Sequence, residues 1–167
     1  MRALGTTRVD EIMIENPVTV QVTDKIEVVA RVFEKFDINA APVVDGEGRC
    51  LGIISSHDIV EYETSRIEVN QEIQHGYYFN LAHYGDQDPP RMGGIYYDEA
   101  GCHMTRTLET AKPSDSLSQV AVKMCQRHIH HVVVLDSDQK PLGLISSLDI
   151  IGHLIGVPVC RSARCDC

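Results

Sequence analysis

No run of 18 apolar residues occurs in this 167-residue chain, so it offers no segment able to cross a bilayer as a helix. The first fifteen residues hold no apolar stretch of leader length, and a cytoplasmic protein is expected. Basic residues are scarce: 15 Lys and Arg stand against 24 Asp and Glu, a formal net charge of −9. A phosphate backbone is held by a basic face, so nucleic acid is excluded as the main partner. A small anion in a locally basic pocket is still allowed. The sequence lacks a P-loop, an H-x-x-E set, and a serine with a placed histidine and acid. No catalytic residue is therefore assigned, and an enzyme is not expected. Cysteine is present six times, but a chain of this length with 43% hydrophobic residues needs no disulfide framework. Cys50 and Cys125 sit in apolar patterns and are expected to be reduced core or near-core thiols. Cys160, Cys165 and Cys167 crowd the tail without a clear fourth ligand, so no metal site is assigned.

What is present is a duplication. Residues 13–58 align without a gap on residues 104–149, 91 positions later. Identities include Met13/Met104, Thr19/Thr110, Asp24/Asp115, Val29/Val120, Ala30/Ala121, Asp45/Asp136 and Leu51/Leu142. The closing heptapeptides GIISSHD (52–58) and GLISSLD (143–149) are nearly the same. Two copies of one unit organise the chain.

Each copy opens with a short extended segment, NPVTVQV in the first. Thr23 or Asp24 can cap the helix that follows. Ile26, Val29, Val32, Phe33 and Phe36 recur there at helical spacing, as do Leu117, Val120, Ala121 and Met124 in the second copy. A strand (APVVD or HVVVLD), a turn and a second strand (CLGIIS or PLGLIS) predict a hairpin. A final helix begins near Ser56 or Ser147. The unit is β-α-β-β-α, and one such unit buries too little surface to stand alone, so the copies are expected to pack face to face. The expected divisions are a first repeat at 1–62, an insert at 63–102, a second repeat at 103–158 and a Cys-containing tail at 159–167. The insert holds five tyrosines and a phenylalanine between Tyr77 and Tyr97, and reads as an ordered loop or contact arm.

The chemistry centres on the heptapeptide ends. Ser55 with Asp58, and Ser146 with Asp149, fit a helix capping box. The same geometry fits a ligand grip. A helix start offers free N–H groups to an anion, and a carboxylate matches the vicinal hydroxyls of a ribose. The residues alone leave both readings open. In the second copy Arg127, His128, His130 and His131 stand beside the predicted anion site, where histidine becomes a donor. The first copy has Asp37, Asn39 and Ala40 at the corresponding histidine positions, so the two sites should not bind alike.

The repeated β-α-β-β-α unit, the M-x-x-x-P-V-T-V opening of the first copy, its APVVD strand and the G-h-h-S-x-x-D ending of both copies together resemble cystathionine-β-synthase (CBS) domains. The likeness covers about residues 9–62 and 103–158. It implies an α/β fold in which two tandem repeats pack about a pseudo-two-fold axis as a Bateman module. It further implies disc-like homodimers and a regulatory, stand-alone sensor binding AMP, ADP, ATP or S-adenosylmethionine between the repeats, with no required cofactor. The ribose aspartate would be Asp58 and Asp149, with Ser55, Ser146 and Ser147 beside them. Thr105 fills the family's small polar position after the opening methionine. Ile14 stands there in the first copy, a departure that weakens its site. IHHVVVLD is similar to the phosphate-contacting His-Arg stretch of nucleotide-sensing CBS proteins, which places His130 and His131 opposite phosphates. Ala40, Ala41 and Pro42 would line an apolar slot for the purine. Two alternatives stand beside the sensor. One is a ligand-free interaction protein acting through residues 77–97. The other is a metal or redox protein using Cys102, His103 and the tail.

Overall fold

The computed structural model describes residues 4–64 and 98–157. The Tyr-rich part of the insert and the cysteine tail lie outside the described residues. The first copy contributes strands β1 (Ile14–Glu15) and β2 (Val20–Gln21), helix α1 (Ile26–Phe36), and the hairpin β3 (Ala40–Val44) and β4 (Cys50–Ser55). Helix α2 follows over 56–64. The second copy is preceded by a short helix α3 (Ala100–His103). It then repeats the order with β5 (Thr110–Ala111), α4 (Leu117–Arg127), β6 (His131–Leu135), β7 (Pro141–Ser146) and α5 (Ser147–Ile155).

The two main helices start differently. Ser116 caps α4 in a full capping box with Gln119. At α1 the cap position falls on Lys25, which makes no side-chain cap bond, so neither Thr23 nor Asp24 caps that helix. Asp24 instead accepts the Gln21 N–H and closes the turn before it. Both helices end on a left-handed residue that is not glycine, Asp37 at φ 51° and His128 at φ 53°. The following Ile38 and Ile129 N–H groups bond back to Phe33 and Met124 carbonyls. That left-handed turn swings the chain sharply and delivers Asn39 and His130 at matching places just before the strands.

Two sheets result, in the orders β1-β7-β6-β5 and β2-β3-β4. Their composition shows an exchange that self-alignment of the sequence does not reveal. Strand β1 pairs antiparallel with β7 of the second copy, Ile14 opposite Leu144. Reciprocally, Thr105 bridges Ile53 on β4 of the first copy. The cores follow the same rule. Val9, Ile12 and Met13 pack with Leu117, Val120, Val132 and Ile145. Ala100 and Met104 pack with Ile26, Val29, Val43 and Ile54. Each opening segment completes the core of the other copy, so neither repeat closes its own. A buried bond from Thr7 Oγ1 to His153 Nε2, 3.2 Å, also ties the first opening to α5.

The exchange explains the repeated glycine of the heptapeptides. A Cβ on Gly52 would lie 2.7 Å from Met104 Sδ and 2.8 Å from the Thr105 carbonyl. Gly143 meets Met13 and Ile14 in the same way. These glycines are sites of close approach. The cysteines divide: Cys50 is half-buried, whereas Cys125 is exposed on α4 and is not the core thiol its apolar context predicts. On an 11-residue helix the outward face begins one residue from the buried Met124.

Candidate functional site

A cleft of about 350 Å3 opens between the copies. Its first wall is the end of β4 and the start of α2: Ile53, Ser55, Ser56, His57 and Asp58, with Asn39 beside them. Its second wall is the exchanged opening of the second copy, Thr105, Thr107, Leu108 and Glu109, with Ile129, His130 and His131. The volume lies at the lower end of the range that holds small organic ligands.

The helix start is built by its own side chains. Asp58 Oδ2 accepts the Ser55 N–H at 2.6 Å and the Ser55 hydroxyl at 2.7 Å. Oδ1 takes no hydrogen bond among the described residues. The capping bonds therefore use one oxygen of the carboxylate and leave the other as acceptor capacity at the cleft. Capping and ligand grip, open alternatives on the sequence, are geometrically compatible. The second copy repeats the arrangement, with Asp149 Oδ2 at 2.7 Å from both the Ser146 N–H and its hydroxyl. Ser146 Oγ in turn accepts the Asp149 N–H at 3.2 Å.

The predicted residues separate into two groups. Ser55, Asp58, Thr105, His130 and His131 come together on the cleft wall. Thr105, which sequence position assigns to the second copy's own site, is carried across to Asp58 by the exchange. Ser146, Ser147 and Asp149 lie at the start of α5, with Ile14 rather than Thr105 on the neighbouring strand. Ser147 donates its N–H to the His130 carbonyl at 2.9 Å, and its hydroxyl lies 3.5 Å from His130 Nδ1. His130 thus borders both helix starts. Ala41 and Pro42 are not on the cleft wall. They belong to β3, opposite Ile54 and Ile53 of β4, and Ala41 is fully buried in the first core.

The basic cluster of the second copy also divides. His128 is the left-handed residue ending α4, and Arg127 turns to Glu109, Nε to Oε1 at 3.1 Å. Only His130 and His131 reach the cleft. Burial pushes the His131 imidazole below its ordinary value of 6.5, His130 adds to this, and Asp149 opposes it. Before any anion enters, the neutral form of His131 is therefore favoured. The apolar lining of Ile53, Leu108 and Ile129, and the polar Thr107 and Glu109, were not foreseen. They flank motif positions, and their roles arise from the crossing of one copy's opening over the other copy's strand. Among the described residues no group of three His, Cys, Asp or Glu side chains could hold a metal ion. His103 instead packs edge-on to Tyr62, ring centroids 4.9 Å apart. No helix among the described residues is long and apolar enough to cross a membrane.

Two interlocked β-α-β-β-α repeats with a cleft between them define a tandem-repeat architecture. The CBS domain profile matches residues 9–65 and 100–156, and the chain belongs to the CBS domain family. It is similar to the L-aspartate semialdehyde sulfurtransferase of Methanocaldococcus jannaschii, 27% identical over 144 residues, 86% of this chain and 22% of that protein. It is also similar to the homoserine O-acetyltransferase of Methanohalobium evestigatum, 25% identical over 147 residues, 88% of this chain and 24% of that protein. The chain spans less than a quarter of the length of these relatives. Among solved structures, the CBS domain pair of protein MJ0100, in complex with 5′-methylthioadenosine and S-adenosyl-L-methionine, superposes with a TM-score of 0.67 at 27% identity, covering 90% of this chain and 97% of that one.

Proposed function

We propose that this CBS pair is a regulatory module that binds an adenosine-type ligand between its repeats, with Asp58 holding the ribose. The observation that carries this reading is the placement of Asp58, its second carboxylate oxygen unused, on the wall of a cleft with a separate apolar lining. Two vicinal hydroxyls can donate to that carboxylate. Ile53, Leu108 and Ile129 offer apolar side chains against which a purine can pack. Ser56, His130 and His131 lie where the 5′ substituent would meet donors. Ser146, Ser147 and Asp149 supply the same chemistry at a second candidate site. The ligands bound by the MJ0100 pair support an adenosine core.

The test is calorimetric titration with 5′-methylthioadenosine, S-adenosylmethionine, AMP and ATP. Asp58→Asn keeps an oxygen able to accept the two Ser55 bonds but removes the charge. Affinity should fall at least about tenfold while the melting temperature in the absence of ligand stays close to wild type. No binding to the wild-type chain at millimolar concentration would remove the proposal.

A second reading, self-association, is favoured by one specific observation. Helix α5 exposes Leu148 and Ile155 at 71% each, with Ile151 between them, and α2 exposes Val60 at the position equivalent to Ile151. An apolar stripe of this kind is usually covered, here by a second copy in a homodimer. A protein partner engaging residues 77–97 would act through a segment outside the described residues.

A further inference from the structure

The charge on the cleft wall is unusual for a place that would hold phosphate. Among the described residues the wall carries two carboxylates, Asp58 and Glu109, three titratable imidazoles, His57, His130 and His131, and no Lys or Arg. Arg106, between the lining residues Thr105 and Thr107, donates to the Gly101 carbonyl at 2.6 Å, and two further cations are engaged by Glu109. Arg127 Nε lies 3.1 Å from Glu109 Oε1, and Lys123 Nζ lies 3.6 Å from Oε2. Lys123 also donates to the Thr110 carbonyl at 2.5 Å. Glu109 is the most shielded member, its side chain 26% exposed against 68% for Arg127, so its orientation is held by the pair. The arrangement belongs to one half of the molecule only. Val18, Val32 and Phe36 occupy the equivalent positions in the first copy.

We infer that Glu109, braced by Arg127 and Lys123, is a specificity-determining residue that turns the Asp58 cleft against phosphate-bearing adenosine ligands and toward uncharged or cationic ones. This rests on the adenosine reading of the cleft. A phosphate entering here meets a second carboxylate on the wall across from Asp58. Apart from the imidazoles of the wall, it gains a cationic partner only by drawing Arg106 from the Gly101 carbonyl or Arg127 or Lys123 from Glu109, so Glu109 acts as a resident competitor for two of those cations. A thioether or hydroxyl at the 5′ position meets neither obstacle. A sulfonium or ammonium group gains a carboxylate partner.

Calorimetry on the full chain at pH 7.5 with 5′-methylthioadenosine, S-adenosylmethionine and AMP tests this. Wild type should bind 5′-methylthioadenosine about tenfold or more tighter than AMP. Glu109→Gln should raise AMP affinity about tenfold and leave 5′-methylthioadenosine within about twofold. Arg127→Gln, whose side chain is mostly in solvent, serves as a second variant with the opposite sign, weakening AMP and not 5′-methylthioadenosine. Equal binding of AMP and 5′-methylthioadenosine by wild type, or an affinity ratio unmoved in both variants, would overturn the inference and leave the adenosine reading intact. Failure of all three proteins to bind any of these ligands would overturn both.

Discussion

Replacing Gly52 with alanine tests whether the two repeats are locked by their exchanged openings. The backbone at Gly52 is not left-handed, so alanine alone would be expected to stabilise slightly, by about 0.4–1 kcal/mol, through the unfolded chain. The structure reverses that sign. The new Cβ would lie 2.7 Å from Met104 Sδ and 2.8 Å from the Thr105 carbonyl, and ordinary contact requires 3.4 Å or more. The methionine tail can rotate away. The Thr105 carbonyl cannot, because it accepts the Ile53 N–H at 3.1 Å while Thr105 N–H donates to Ile53 at 2.9 Å. Relief therefore costs overpacking strain of about 1–3 kcal/mol plus part of two backbone hydrogen bonds worth about 1 kcal/mol each. A net loss of about 2–4 kcal/mol is expected, read as a lower urea midpoint and a melting temperature lower by about 5–15 °C. Thr105 also lines the cleft, so affinity for the proposed adenosine-type ligand should fall as well. Gly143→Ala presses on Met13 and Ile14 instead, and should destabilise comparably without displacing Thr105. A Gly52→Ala protein within about 0.5 kcal/mol of wild type would refute the argument that this glycine exists for the close crossing.

Three further outcomes are expected. Asp149→Ala without ligand should cost about 0.5–2 kcal/mol in urea unfolding, because Ser146 loses the acceptor of its N–H and hydroxyl bonds. The histidine at the cleft sets a pH dependence: with the folded value of His131 held below 6.5, the unfolded chain takes up the proton first. Stability should fall as pH drops below about 6.5 toward the folded value and be unaffected above it, and unfolding curves of His131→Gln should lack that component. Leu148→Glu together with Ile151→Glu should give a monomer in light scattering if the α5 stripe is a homodimer face, with the circular dichroism spectrum retained.

Much of the architecture was legible because it is periodic and local. The alternation of a 3.6-residue apolar pattern with short β-branched runs marks α1, α4 and both hairpins. The S-x-x-D ends mark the starts of α2 and α5, because a capping box is closed by residues three apart in the same chain. The helix-start pairs defined by that local geometry, Ser55 with Asp58 and Ser146 with Asp149, could be named without coordinates. Those defined by crossing segments could not. Thr105 belongs beside Asp58 only because the second opening bridges Ile53. Leu108 and Ile129 read as ordinary apolar positions until a cleft opens beside them. Ala41 and Pro42 sit on β3, Ala41 within the first core, and neither joins the residues that line the cleft. Cys125 fits an apolar run, but one step of helical rotation past Met124 is enough to face solvent.

The sequence by itself determined the repeat, the element order within each copy and the paired Ser-Asp helix starts, since each depends on neighbours along the chain. Only the tertiary structure decided which opening serves which copy, which acid meets which threonine, and that Arg127 turns to Glu109 instead of the cleft. Those are long-range choices, made by packing Met13 on Gly143 and Met104 on Gly52, and no local pattern distinguishes a repeat closed on itself from one closed by its twin.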